Sequence, residues 1–341
     1  MNLKELGEFN LIKHFTQGIP IVNSAVVTGI GDDAAVIRCG AKKFILFTTD
    51  SLIENIHFSS DLLTPYQVGE KAMAVNLSDI AAMGGIPKYA VVSVALTPET
   101  SVTFVNEVYR GIKKVAARFA VAIVGGDTAR SPEGMMINIS LLGEVTEKFL
   151  VHRSGAKSGD EIFVTGHLGA TAAARLAGKH IPTLPLINEG REIIKKFKPT
   201  SMIDISDGLS SDIMHICEAS RVGAKIYEEA IPISDETRIT AKKIGKAPLK
   251  LALEGGEDYQ LLFTAAAIKE RHKGTKAQRH KEEHKSTRAP ITNHQSPITN
   301  VLGVSISKIG EISKKKELLL IDKKGNSHRL FPAGYDHFSL P

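Results

Sequence analysis

The sequence predicts an α/β protein of two domains, and three observations carry that prediction. Its 341 residues exceed what one hydrophobic core usually serves. Apolar runs of strand length recur along the chain, separated by stretches with a helical stripe. Several of these runs break off into Gly, Ser or Thr and then an acid, a device that brings oxygen atoms to the rim of a sheet. A content of 43% hydrophobic and 23% charged residues is that of an ordinary globular protein.

Taken in order, the first such run is Phe44–Phe47, read as a strand buried on both faces that stops at Thr48, Thr49 and Asp50. Just before it, Gly29–Asp33 sets two adjacent carboxylates behind glycines. Pro65 opens a helix to about Met83, which Gly84, Gly85 and Pro87 stop; Asn76 and Asp79 share one face of it. Tyr89–Leu96 reads as a strand. Phe104, Val108, Ile112, Val115 and Phe119 form the stripe of an amphipathic helix packed on a sheet. Ala120–Val124 is a short buried strand running into Gly125–Asp127, and Met135–Leu142 is another. The first domain closes by residue 149.

The second domain, 150–341, begins with the polar connection at Arg153–Asp160. Glu161–Thr165 is a strand and Ala170–Ala177 an alanine-rich helix. Met202–Ile205 is a strand that turns through Ser206, Asp207 and Gly208 into a helix over Leu209–Ala219, with Ser206 or Asp207 as its N-cap. Leu261–Phe263, Val301–Ile309, Leu318–Ile321 and His328–Phe331 supply further strands, with a turn at Asp322–Gly325. Short connections favour antiparallel pairing for some of them.

The net charge of +6 is concentrated. Residues 269–300 hold eight Lys or Arg against three Glu, four of the twelve His and no aromatic residue, which leaves the remainder close to neutral. Such a segment cannot bury a core and reads as a disordered basic insertion rather than a nucleic-acid surface. Cys39 and Cys217 are far apart, with no zinc spacing, and read as reduced core thiols with a packing role. The start carries acids where a signal peptide needs apolar residues, and no run reaches the ~18 residues of a membrane helix. A cytoplasmic protein without nucleic-acid or membrane partners is therefore expected.

Any one acidic block has a plain structural reading: Asp207 as a helix cap, Asp79 as a solvated helix face. Their recurrence at the ends of apolar runs is harder to explain so, since an unpaired carboxylate there is costly unless a cation meets it. Hard oxygen ligands in this number suit several magnesium ions. The chain lacks a Walker A pattern, a kinase-type His-Arg-Asp and a Cys or His constellation. Carboxylates that handle anions through magnesium point to phosphoryl transfer.

Eight blocks in order then resemble the thiamine-monophosphate kinase family. They are Gly29–Val36, Thr48–Ser51 with His57 and Phe58, Ala74–Gly84, Gly125–Thr128, Arg153–Ala156, Asp204–Leu209, Glu254–Tyr259 and Gly334–Phe338. The resemblance implies the two-domain fold of aminoimidazole ribonucleotide synthetase and selenophosphate synthetase, with an N-terminal sheet that pairs with a partner's to make a homodimer. It implies ATP-dependent phosphorylation of thiamine phosphate to thiamine diphosphate. It implies magnesium ligation by Asp33, Thr48, Thr49, Asp50, Asp79, Asp127, Asp204 and Asp207. It further implies ATP contacts by Gly126, Asp127, Arg153 and Ser206, and substrate contacts by His57, Glu257 and Tyr335. Glu257 is expected to answer the thiazolium charge, Tyr335 to offer an aromatic face and the Arg153 fork to take a nucleotide phosphate. The acceptor is itself an ionised phosphate, so direct in-line attack without a general base is expected. A sibling synthetase acting on a purine intermediate or selenide is the runner-up, although no Cys precedes Cys39 to serve selenide chemistry. A non-catalytic nucleotide-binding protein is the third reading, which loss of a ligand acid would betray, and every acidic block is present. Two departures stand out. The basic insertion follows Phe263, and Asn55 replaces a glycine before the histidine, where Asn suits a left-handed backbone.

Overall fold

The computed structural model describes residues 3–267, 299–335 and 337–338. Two short helices, α1 (Leu3–Leu6) and α2 (Glu8–Thr16), precede a first sheet. That unit runs β1 (Val26–Thr28), β2 (Ala35–Gly40), β3 (Lys43–Ile53), α3 (Pro65–Ala82), β4 (Ile86–Leu96), α4 (Val102–Arg118), β5 (Ala122–Arg130) and β6 (Met136–Thr146). Its six strands lie in the order β1-β2-β3-β6-β4-β5. The β4-β5 pair, joined by the α4 crossover, is parallel, whereas β3, β6 and β4 pair antiparallel.

The second unit runs β7 (Asp160–Thr165), α5 (Ala170–Leu176), α6 (Ile187–Phe197), β8 (Ser201–Asp204), α7 (Leu209–Ser220), β9 (Gly223–Tyr227), α8 (Asp235–Lys243), α9 (Pro248–Glu254) and β10 (Leu261–Ala266). It closes with β11 (Thr299–Val301), β12 (Val304–Ser313), β13 (Leu318–Ile321) and β14 (Ser327–Arg329). The strand order is β14-β13-β9-β12-β7-β10-β8, with β11 on β12. The basic insertion expected at 269–300 lies outside the described residues, except that Thr299 and Asn300 belong to β11. The single strand expected over Val301–Ile309 is broken by a two-residue hairpin turn. Leu302 and Gly303 carry φ of 50° and 89°, the left-handed pair that matches strand twist.

Helix α3 lies between the two sheets. Thr64 and Gln67 form a reciprocal capping box, Pro65 takes the first helical position, and most residues from Val68 to Ala82 are buried. It packs on β3 and β6 of one sheet, on β8 of the other, and on α4 and α6. The core around it is continuous across both units and takes in Phe163, Met202, Leu261 and Phe263.

Two further strand readings need correction. β3 does not stop at Thr48 but runs to Ile53, and it is buried on one face only, through Phe44, Leu46, Thr48 and Leu52. Strand alternation turns Phe47, Thr49, Ser51 and Ile53 to an open face. β5 likewise continues through Gly125, Gly126 and Asp127 to Arg130, as the exposed edge of the sheet. Of the two cysteines expected in the core, Cys217 of α7 is buried, but Cys39 is exposed at the end of β2.

Candidate active site

Three carboxylates from three elements converge beside α3. Asp33 comes from the loop before β2, Asp79 from α3 and Asp204 from the end of β8, and one oxygen of each lies within 4.8 Å of the others. Burial, with Asp50, Asp204 and Asp33 adding repulsion, holds Asp79 well above the ordinary carboxylate range. Burial and the neighbouring Asp33 push Asp204 up to about 8. Burial alone lifts Asp50 to about 6, and burial with Asp32 lifts Asp33 to about 6 against the pull of Arg153. The Asp33 Oδ2 atom is buried without a hydrogen-bond partner. An orphaned acceptor among mutually repelling carboxylates is a site built for a hard cation, and the all-oxygen donor set fits magnesium.

Hydrogen bonds hold this cluster in place. Thr48 Oγ1 donates to Asp79. Ser78 Oγ donates to Asp204 Oδ2 at 2.6 Å, linking α3 to β8. The Asp50 backbone N–H donates to Asn76 Oδ1 at 3.1 Å, and Asn76 Nδ2 donates to the Ala72 carbonyl, so the expected face-sharing of Asn76 and Asp79 has a purpose. Asp32 accepts the Arg153 backbone N–H at 3.1 Å, pinning the interdomain connection to the Asp33 loop.

A cavity of about 630 Å³ opens beside the cluster, lined by Asp50, His57, Ser206, Asp207, Glu257 and Tyr335 among others. His57 Nδ1 accepts the Ile53 N–H at 3.0 Å, so Nε2 carries the hydrogen. Burial, with His337 and Lys71 adding to it, lowers the His57 pKa to about 4, and the imidazole is neutral. Asn55 stands at φ 64°, in the left-handed conformation expected of it. Tyr335 packs edge-on against His337, whose ring also meets that of His57 at 4.9 Å. Thus the last described residues form one wall of the cavity.

The remaining expected residues divide. Asp207 belongs to a second group, with Asp212 and His215 of α7, rather than to the Asp33 cluster. It does not cap α7: Gly208 takes that position, and Asp212 Oδ2 accepts the Gly208 N–H at 3.0 Å. Arg153 is not presented to an incoming phosphate as a free fork, since its Nε and Nη2 both donate to Asp33 Oδ1, at 3.2 and 2.8 Å. Glu257 is not a lone counter-charge, because Lys71 and Arg175 both pair with it. The Thr49 hydroxyl contacts Ser140 and Asn138 on the open face of the sheet, away from the cluster. Gly126 and Asp127 are further still. In register, Asp127 pairs with Ser93, Ser93 with Asn138 and Asn138 with Ser51. That places Asp127 three strands from β3, roughly 14 Å at the usual strand spacing, and on the open face. Lys71, Asp212 and Arg175 were missed by sequence reading, for a charged residue inside an apolar helix or an ordinary one leaves no motif.

The two mixed-sheet units correspond to the two domains of the AIR synthase-related class. Its N-terminal domain model matches residues 31–145 and its C-terminal domain model matches 152–267. Within that class, the chain belongs to the thiamine-monophosphate kinase family. It is 40% identical over 280 residues to the Thiamine-monophosphate kinase of Aquifex aeolicus, covering 77% of this chain and 87% of the relative. The Bacillus subtilis Thiamine-monophosphate kinase is 31% identical over 351 residues, covering 98% and 100%. The solved structure of AaThiL complexed with AMPPCP and TMP superposes with a TM-score of 0.78 at 32% identity, over 99% of each chain.

Proposed function

We propose that this protein transfers the γ-phosphoryl group of ATP directly to the phosphate of thiamine phosphate, giving thiamine diphosphate and ADP. The observation that carries the reading is the convergence of Asp33, Asp79 and Asp204, with the Asp33 Oδ2 atom left unpartnered, next to a cavity large enough for the reacting ends. Asp33, Asp50, Asp79 and Asp204 would hold magnesium, with Thr48 orienting Asp79. Bound magnesium neutralises the phosphates and lets two anions approach in line. The chain's own work is positioning. Arg153 fixes Asp33, Ser78 fixes Asp204, and Asn76 fixes the backbone of Asp50. His57 presents its Nε2–H as a neutral donor to the acceptor. No proton needs removing from an acceptor phosphate whose second pKa is about 6, which agrees with a neutral His57 that cannot accept through Nδ1. Tyr335 and His337 supply aromatic faces to the flat cationic substrate.

The working unit in this reading is a homodimer of two-domain chains, divided near residue 149, in the cytoplasm. The open face of the first sheet supports it. Phe47, Ile53, Tyr89 and Val91 stand exposed there, an apolar patch suited to a second copy. Gly126 and Asp127 then reach a nucleotide across the interface rather than in their own subunit.

The test mixes purified protein with ATP, magnesium and thiamine phosphate. Formation of thiamine diphosphate with equimolar ADP is expected. Absence of that product, with turnover of a purine precursor instead, would overturn the assignment.

A further inference from the structure

Lys71 is a charged residue where the helix around it is apolar. Its side chain is 8% exposed, on the buried length of α3. The Nζ atom donates to the main-chain carbonyl of His57 at 2.6 Å and to Glu257 Oε1. These two acceptors belong to different units. The first is the turn after β3, the second the loop between α9 and β10. Both loops line the 630 Å³ cavity, and both also line a smaller one of about 230 Å³ that shares His57 and Glu257 with it.

The Glu257 loop is held in an uncommon shape. Gly256, Glu257 and Tyr259 all have positive φ, of 63°, 57° and 48°. Its backbone is fixed on one side by Glu257 N–H to Ser206 O at 2.7 Å and Tyr259 N–H to Ile205 O at 2.8 Å. The Glu257 side chain is fixed on the other by Lys71 and, at 2.9 Å, by Arg175 Nη1. With two cations on one carboxylate, the Glu257 charge is spent inside the protein.

We propose that Lys71 is a positioning residue for the acceptor substrate. It clamps the His57 turn to the Glu257 loop and so sets the width of the acceptor cavity at the seam between the two units. This proposal rests on the kinase reading above. It assigns the buried ammonium no contact with the reacting phosphates; its action is through His57 and Glu257. Arg175, which is half-exposed, cannot substitute, because it reaches Glu257 but has no bond to the His57 turn.

The experiment compares wild type, Lys71→Met and Lys71→Arg by steady-state kinetics with each substrate varied in turn, alongside thermal unfolding. For Lys71→Met, KM for thiamine phosphate should rise about tenfold or more, the scale on which one buried charged partner is lost. The KM for ATP and the affinity for a non-hydrolysable ATP analogue should stay within about twofold of wild type. Lys71→Arg keeps the charge and should recover part of the loss. An unchanged KM for thiamine phosphate in Lys71→Met overturns the proposal while leaving the kinase reading intact. So does a rise in both KM values in parallel with a lowered Tm, which marks a merely structural lysine. Should Lys71→Met fail to fold, Lys71→Gln, which also lacks the charge, decides in its place: a selective rise in KM for thiamine phosphate supports the clamp, and wild-type values overturn it. Wild-type protein that makes no thiamine diphosphate removes the kinase reading and the proposal together.

Discussion

Asp79 shows what the cluster demands of a single residue. Its carboxyl is surrounded by Asp50, Asp204 and Asp33 and is raised by burial and by their repulsion. Replacing it by Asn removes one of the repelling groups, so Asp79→Asn should raise the Tm of metal-free protein. The same change deletes a ligand, so phosphoryl transfer should fall at least about a hundredfold and the Tm rise caused by added magnesium should shrink. Lower stability of the metal-free variant would refute a repulsive cluster. The same acids fix a pH dependence. Asp33 and Asp50 move from 3.8 to about 6 and Asp204 to about 8 on folding. Across that window the folded chain keeps protons that the unfolded chain has released, so stability falls as pH rises. A shift of two units at one such group is about 3 kcal/mol, or about 5 °C for a chain of this size. Scanning calorimetry of metal-free protein from pH 4 to 8 should show Tm declining at least that far above the general acid effect, with magnesium restoring most at pH 8. A Tm that climbs over this range would contradict the assignment.

Helix α3 carries Lys71, Asn76, Ser78 and Asp79, so its depth decides the site. Two glycines set that depth. A Cβ on Gly69 would lie 1.9 Å from the Val108 carbonyl of α4, and one on Gly111 would lie 2.0 Å from the Tyr66 carbonyl of α3. The helices therefore touch backbone to backbone. Gly111→Ala should separate them and destabilise the fold by about 3 kcal/mol, read from the denaturant midpoint, with loss of activity beyond the loss of folded protein. This helix was legible in the sequence because its ends are marked by Pro65 and by Gly84 and Gly85. β3 was legible as a strand but not in its extent. A run of Phe, Ile and Leu signals burial, and only pairing with β6 reveals that Thr49 and Ser51 belong to the same strand on its open face. The acids of the cluster were legible as motifs for the same reason that their geometry was not. Asp33, Asp79 and Asp204 sit at sequence-distant ends that converge only when α3 is inserted between two sheets. Asp212 left no signal, because a carboxylate on a helix reads as solvated until the fold buries it.

At the scale of the whole molecule, the proposed homodimer bears on the position of Asp127. The rung Ser51-Asn138-Ser93-Asp127 and the neighbouring rungs Thr49-Ser140-Val91 and Phe47-Leu142-Tyr89 form a face with a polar end and an apolar end. If two copies pair through this face, as proposed above, Val91→Glu should leave the protein monomeric in sedimentation with each core intact, and a wild type that sediments as a monomer would refute the pairing. A dimer also changes what Asp127 can do. Within one chain it is separated from Asp50 by three strand spacings, whereas an edge strand is free to approach the site of a second copy. Subunit complementation separates the two cases. Asp79→Asn and Asp127→Asn, each inactive as a homodimer, are co-expressed with different tags and the mixed dimer is purified along with both parents. If Asp127 serves the partner's site, each mixed dimer contains one doubly damaged site and one site with every residue intact. The unfractionated random mixture should then recover about a quarter of wild-type turnover, and the purified mixed dimer about half. If Asp127 serves its own chain, both sites of the mixed dimer remain damaged and no activity returns, which would place the nucleotide wholly within one subunit.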